Sequence, residues 1–503
     1  MSDALALPNG GVVKLADIPR LPVQEFRQCI LTSIADGGRL AALFGAPTVD
    51  AVRLFAIIAG QGTGALSTVC ADLGDAYPAL TPECPQAHLF EREIAEQWGV
   101  EPVGHPWLKP VRFQPPRRQA QKGGSTQSQP PQCGVTDFFQ VEGEEVHEVA
   151  VGPVHAGIIE PGHFRFQCHG ETVIHLEISL GYQHRGIERA LVGGPDPRTV
   201  HYVEMLAGDT TVGHTVGYCR ALEALAECRV PARAQVLRGV ALELERVANH
   251  IGGLGALAGD IGFLPTLSYC GRIRGDILNL TAELCGNRFG RGLVRPGGVA
   301  YDIDDALRAT IRGRLTTAIR EATSAIGLLW KTPSVLSRFE GTGVLSREVC
   351  EAIGLVGVAA RACGVERDVR REFAYGIYRL SHIPTSTWHS GDVFARAFVR
   401  WLEIQRSAAF ILEQLDALPV GPASAAFGGL AAGRMAVALV EGWRGEICHV
   451  AMTNDVGKLA HYKVVDPSFH NWFGLALAMR NEQISDFPVC NKSFDLSYCG
   501  HDL

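Results

Sequence analysis

No two of the fourteen cysteines in this 503-residue chain stand close enough to form a CxxC pair, and the tightest spacing is nine residues, at Cys219/Cys228 and Cys490/Cys499. Iron–sulfur and structural zinc sites draw their ligands in close pairs, because one turn then presents two thiolates to one ion, so the sequence carries no such pattern. Scattered cysteines in a chain of this kind act as small buried hydrophobes. Excess positive charge is missing too: the net charge is −7, which argues against nucleic acid or anionic lipid as a partner. No apolar run reaches the roughly 18 residues of a spanning helix. The best candidate, "ASAAFGGLAAGRMAVALVEGW", is cut by Gly428, Gly429, Gly433 and Arg434. The opening "MSDALALPNGG" shows no export signal, so the expected location is cytoplasmic. "GLGALAG" and "FGGLAAG" are glycine-rich, but neither is a GxGxxG after a strand, so there is no nucleotide fingerprint.

What is abundant is apolar residue: 47% of the chain is hydrophobic, over a length that suits one large domain and a smaller one. One break in composition divides it. Residues 114–134, "QPPRRQAQKGGSTQSQPPQCG", have almost nothing to bury and read as a linker between residues 1–113 and 135–503. The N-terminal piece mixes apolar runs such as "VRLFAIIAG" with the helical pattern "AHLFEREIAEQWGV". There Leu89, Phe90, Ile94 and Trp98 make the apolar side, while Glu91, Arg92, Glu93 and Glu96 are expected in water. This predicts a small α+β domain. The C-terminal piece opens on a β-hairpin, with Phe164, Phe166 and Cys168 alternating before the "HGET" turn and Ile174, Leu176, Ile178 and Leu180 after it. Helical periodicity follows, to about residue 416. Its clearest stretch is "VLRGVALELERVANHIGGLGAL", where Leu237, Ala241, Leu244, Val247, Ile251 and Leu254 fall at three- and four-residue steps. Short strands return from Ile447. The predicted fold class is α+β, a mainly helical bundle with a hairpin region at its start and short strands near its end.

Residues 77–110, "YPALTPECPQAHLFEREIAEQWGVEPVGHPWLKP", resemble the signature of the small peripheral-arm (30 kDa-like) subunit of respiratory complex I. The remainder resembles the superfamily of nickel–iron hydrogenase large subunits and complex I quinone-site subunits. The carriers are "GPVHAGIIEPGHFRF" (152–166), "HRGIERAL" (184–191), "ELERVANH" (243–250), "RACGVERDVRREFAY" (361–375), "GDVFARAFVR" (391–400), "EGWRGE" (441–446) and "NKSFDLSYCGHDL" (491–503). The fused arrangement is most similar to formate hydrogenlyase-type, hydrogenase-4-like large subunits. The resemblance implies a subunit of a membrane-associated, ion-translocating redox complex, on the cytoplasmic face. Its implied partners are a small iron–sulfur (4Fe-4S) subunit and membrane-embedded antiporter-like and complex I-like subunits. Any NAD(H) chemistry belongs to another subunit.

The resemblance further implies four thiolates on nickel and iron, in two CxxC motifs; soft ligands suit such late transition metals. The register places Ala207, Thr210, Ser497 and Gly500 at those positions. Cys499 is one residue out of step. The expectation is therefore a chain with no metal of its own and hydrogenase chemistry lost. A zinc site from Cys490, Cys499 and His501 is a minor alternative, three mixed ligands on a loose tail. The second reading is quinone reduction as in complex I, with His155, His163 and Arg165 as its candidate contacts, although Gly208 stands where the family's headgroup tyrosine belongs. An active hydrogenase is the third. Candidates for the cavity and proton path are Asp209, His163, Glu188, His214, Asp368 and Arg370. Asp209 would hold a proton if it lies unpaired beside the cavity; otherwise it caps a helix beginning near Thr211. Arg361, Asp368 and Arg370 either border the cavity or form a buried ion-pair network. Glu243 and Glu245 point to different faces of one helix, so at most one is expected inside, and His250 reads as an interhelical hydrogen bonder.

Overall fold

A computed structural model describes residues 4–48, 51–62, 64–117, 132–155 and 159–503. The α+β class holds. Strands β1 (Leu5–Pro8), β3 (Arg39–Pro47), β4 (Val52–Ala59) and β5 (Ala65–Leu73) form an antiparallel sheet in the order β1-β5-β4-β3, and β2 (Val12–Lys14) leaves it. Helix α1 (Val23–Ala35) covers this sheet through Phe26 and Ile30, and α2 (His88–Trp98) packs through Phe90, Ile94 and Trp98. Gly45 accommodates the Trp98 indole, because a Cβ there would stand 2.7 Å from it.

Strands β6 (Val146–Val151), β7 (His163–His169) and β8 (Thr172–Ser179) make a second antiparallel sheet. The predicted hairpin is present, with one change of register. A bulge between Val173 and His175 turns Val173 inward and leaves Ile174 half-buried, because an inserted residue flips the side-chain alternation before it. The bundle follows: α3 (Thr211–Leu225), α4 (Ala232–Asp260), α5 (Leu264–Cys285), α6 (Asp305–Gly327) and α7 (Val393–Asp416). All six apolar positions named in the α4 stretch are buried. Strands β9 (Arg434–Glu441), β10 (Glu446–Thr453) and β11 (Leu459–Val465) close the chain with α8 (Pro467–Ala478), α9 (Phe487–Phe494) and α10 (Tyr498–Asp502). None of the described helices is long and apolar enough to cross a membrane.

Two expectations fail in instructive ways. The side of α2 assigned to water is largely covered. Glu91 accepts hydrogen bonds from the backbone N–H groups of Leu80 and Thr81, and Glu93 pairs with Arg112 and Lys463. The covering groups come from Leu80 and Thr81, from Arg112 and, across the two pieces, from Lys463, none of which helical periodicity can register. The tail is not loose either: Cys499, His501 and Asp502 are all buried.

Residues 118–131 of the linker assignment lie outside the described residues. Its described N-terminal end is held: Gln114 N–H donates to Glu96, and Arg117 N–H donates to the Gln97 carbonyl. Strand β2 adds to the C-terminal sheet, giving the order β11-β10-β9-β2 with Val13 opposite Met435. We propose 114–134 as the main protease-sensitive segment, from its composition. Limited digestion should cut there, yet the fragments should co-elute in size-exclusion chromatography because the shared sheet joins them. Separate elution under native conditions would contradict this.

Candidate functional site

The β9–β10 turn, "EGWRGE", gathers side chains from four directions. Glu441 accepts from Arg361 Nη1 at 2.7 Å and from Val369 N–H. The carbonyls of Glu441 and Gly442 accept from Arg246 on α4. Arg361 also reaches Glu403 of α7 at 2.7 Å, and Glu403 in turn takes Arg246 and His250. Arg370 binds Asp368 and Glu243, and Glu243 is completed by Tyr378 and Ser407 hydroxyls. Burial alone would raise these carboxyls, but the surrounding guanidinium groups outweigh it and hold Glu403 and Glu243 below the ordinary range. Asp368 and Arg370 thus belong to a buried ion-pair network, and His250 bonds between helices.

The next two residues of the turn build the second cluster. Arg444 forms a bidentate pair with Asp209, at 2.6 and 2.8 Å. It also donates to Thr210 Oγ1 and to the Asp495 carbonyl. Trp443 Nε1 donates to Thr210 Oγ1 at 3.1 Å and to the Asp209 carbonyl at 3.0 Å. The expectation of an unpaired Asp209 is therefore corrected: it is ion-paired, and its side chain is 34% exposed. Nor does it cap α3. That role falls to Glu245, whose carboxylate accepts from the first free N–H groups of the helix, Val212 at 2.7 Å and Gly213 at 3.1 Å. Burial pushes the Glu245 carboxyl up to about 8, and the nearby Asp209 charge adds to the rise. Of the two glutamates of "ELER", Glu243 is buried and Glu245 is half-buried, turned from α4 to the start of α3.

A third cluster runs through α3. His214 Nε2 contacts Asp466 at 2.9 Å and its Nδ1 lies 3.2 Å from His449 Nε2, while His449 Nδ1 meets the Tyr462 hydroxyl. Asp466 caps α8 through Ser468 N–H, a signal legible in "VVDPSFH", where proline follows the cap. Glu188 lies elsewhere, with Lys463 at 3.0 Å and beside Arg117. Burial alone would raise its carboxyl, but the Lys463 and Arg112 charges hold it well below the ordinary range.

The hairpin histidines form a fourth group. His155 Nε2 lies 3.0 Å from the Gly162 carbonyl, and His163 Nδ1 lies 3.1 Å from the Gly152 carbonyl. Arg165 pairs with Glu148, stacks over the Phe138 ring and directs its Nε at His163 Nε2. Both His163 nitrogens are thus occupied. Five of the six predicted path residues are spread over these four clusters, and Glu188 lies apart with Lys463 and Arg117. Arg444, Asp466 and His449 are not singled out by the sequence, and Glu245 is weighed there only for which face it lies on; Arg444 and Glu245 lie inside quoted motifs, but only the fold reveals their partners.

The four positions where the resemblance places thiolates offer a poor donor set. Thr210 Oγ1 is committed to Arg444 and Trp443, and Ser497 Oγ accepts from Gly500 N–H at 2.9 Å. Ala207 has no donor. A Cβ on Gly500 would stand 2.7 Å from the Asp466 carboxyl carbon. Among the described residues no three His, Cys, Asp or Glu side chains converge as metal ligands.

Comparison with known proteins places these features. A family model for the 49 kDa subunit of respiratory-chain NADH dehydrogenase matches residues 260–431. The carbon monoxide-induced hydrogenase of Rhodospirillum rubrum is 33% identical over 351 residues, covering 69% of this chain and 97% of that protein. The chain belongs to the complex I 49 kDa and nickel–iron hydrogenase large-subunit superfamily. Formate hydrogenlyase subunit 5 of Escherichia coli K12 is 29% identical over 436 residues, covering 84% of this chain and 76% of that one. A chain of the membrane-bound sulfane sulfur reductase, an archaeal respiratory membrane complex, shares the fold with a TM-score of 0.68 at 23% identity, over 73% of this chain and all of that one.

Glu245 provides a test by pH. Its carboxyl is raised in the folded chain, so the folded state keeps a proton that the unfolded state releases. That contribution to stability is complete below about pH 4.5 and is lost as pH rises towards about 8. Denaturant unfolding at both ends of this window should show Glu245→Gln with a flatter pH dependence than wild type, and relatively more stable on the alkaline side. Parallel slopes would refute the assignment.

Proposed function

We propose that this chain is a subunit of a membrane-associated, ion-translocating redox complex, and that it works there without a nickel–iron centre of its own. In this reading it couples electron transfer in an adjacent iron–sulfur subunit to membrane-embedded antiporter-like subunits, peripheral on the inner face of the membrane. Support comes from the relatives named above and from one observation in particular. The four family ligand positions hold Ala207, Thr210, Ser497 and Gly500, and neighbouring groups already use the two hydroxyls. Four thiolates cannot be replaced by a single Cys499, whose thiol burial pushes up to about 11 and so keeps protonated.

Coupling in such a site is protonic. A cleft of about 340 Å³, lined by Asp209, Asn249, Arg274, Trp443, Lys492 and Asp495, reaches the Asp209–Arg444 pair. Asn249 bridges the carbonyls of Asp209 and Glu245. Glu245, poised near neutral pH, is the carboxyl best suited to take a proton there, with His214 and Asp466 on the far side of α3. Quinone reduction is supported less well, because both His163 nitrogens are occupied and Gly208 supplies no phenol.

The purified complex should carry no stoichiometric nickel in this chain and should neither evolve nor consume hydrogen. Stoichiometric nickel that disappears in Cys499→Ser would overturn the reading. In the same complex, Glu245→Gln should lower ion transport several-fold while leaving assembly and iron–sulfur content unchanged, since Gln keeps the volume but cannot exchange a proton. Wild-type transport in that variant would remove Glu245 from the path.

A further inference from the structure

A second cleft, of about 480 Å³, lies away from the site above, between the Asn9–Gly10 turn, the end of α3, the start of α4 and residues 375–379. Four arginines line it: Arg220, Arg229, Arg238 and Arg379. One carboxylate, Glu223, lines it as well, and Arg238 neutralises it with bonds of 2.6 and 3.0 Å. Arg220, Arg229 and Arg379 have no carboxylate partner among the described residues. A cleft with three uncompensated guanidinium groups is unusual on a chain whose net charge is −7.

Arg220 is set in place rather than left at the surface by chance. Its guanidinium lies over the Tyr375 ring at 4.6 Å and donates to the Leu439 carbonyl at 2.8 Å and the Asn9 carbonyl at 3.3 Å. The backbone leaves room for it: Gly10 has φ +79°, and a Cβ there would stand 2.8 Å from Arg220 Nη2. Asn9 is pinned in turn, donating to the Phe373 and Leu439 carbonyls and accepting from Leu439 N–H. A half-buried cation held only by neutral acceptors keeps its attraction for an anion, and guanidinium geometry favours bidentate oxyanions.

We propose that this cleft binds a small, multiply charged oxyanion of the phosphate-ester or diphosphate class. The volume falls within the range of small-molecule sites, and the Tyr378 and Leu242 side chains supply an apolar wall. The bound anion would sit one side chain from the buried network, since the Tyr378 hydroxyl donates to Glu243 at 2.6 Å. The proposal does not depend on whether the chain carries nickel.

Calorimetric titration with pyrophosphate at low ionic strength tests it. Wild type should bind one equivalent saturably. The double variant Arg229→Ala/Arg379→Ala alters two exposed side chains that make no described bond, so it should fold normally and keep its unliganded melting temperature. It should bind pyrophosphate about tenfold to a hundredfold more weakly, because charge-assisted bonds are lost. Citrate and chloride matched for ionic strength separate the sources of the signal: citrate competing as well as pyrophosphate would replace the phosphate class by polycarboxylates and overturn the assignment. No saturable heat with wild type, or equal affinity in the folded double variant, would overturn the site itself.

Discussion

The structure depends on keeping buried charge paired. Arg246, Arg361 and Arg370 are almost fully withdrawn from water together with Glu243, Asp368, Glu403 and Glu441, at the junction of α4, α7 and the β9–β10 turn. Removing such groups from water costs several kcal/mol per ion, and only dense mutual pairing offsets that. Each carboxylate here meets at least one guanidinium, and hydroxyl or backbone donors complete several of them. A network of this type adds little net stability over an apolar core, but it fixes geometry, since any displacement leaves an ion unmatched.

That constraint passes directly to the candidate site. Glu441 and the carbonyl of Gly442 anchor the turn to the network, and the next two residues, Trp443 and Arg444, orient the segment from Asp209 to Thr210. The turn also reaches into the N-terminal sheet, because Glu446 pairs with Arg39 of β3. Hydrogen bonds among Arg444, Trp443 and Thr210 thus fix the polar lining beside Asp209. Thr210, Trp443 and Arg444 thereby satisfy one another's donors and acceptors, as polar groups shielded from water must.

The two pieces divided by the Pro/Gln-rich segment interlock more than their composition implies. Strand β2 extends the C-terminal sheet, and Lys463 of β11 pairs with both Glu93 of α2 and Glu188, with Arg112 and Arg117 supplying further positive charge. Of the carboxylates on α2 that a helical wheel assigns to water, Glu93 instead pairs with Lys463, 370 residues away, while Glu91 and Glu96 take backbone N–H groups close by in sequence. A pattern of polarity along one helix cannot distinguish a face that meets water from one that meets a complementary charged surface.

What the sequence by itself determined was periodicity and identity. The α4 stripe, the hairpin, the extent of the bundle to Asp416 and the superfamily all follow from residue spacing and motif order, which are local properties. The missing thiolates are likewise a matter of residue type. Tertiary structure alone decided which charges meet. Asp209 with Arg444, Glu245 with the start of α3 and His214 with Asp466 join residues 33 to 252 positions apart, so no window along the chain contains both partners. For that reason Asp209 is a pinned ion pair, and burial pushes the neighbouring Glu245 carboxyl up to about 8. A carboxylate's chemistry depends on its desolvation and its neighbours, and both exist only once the chain has folded.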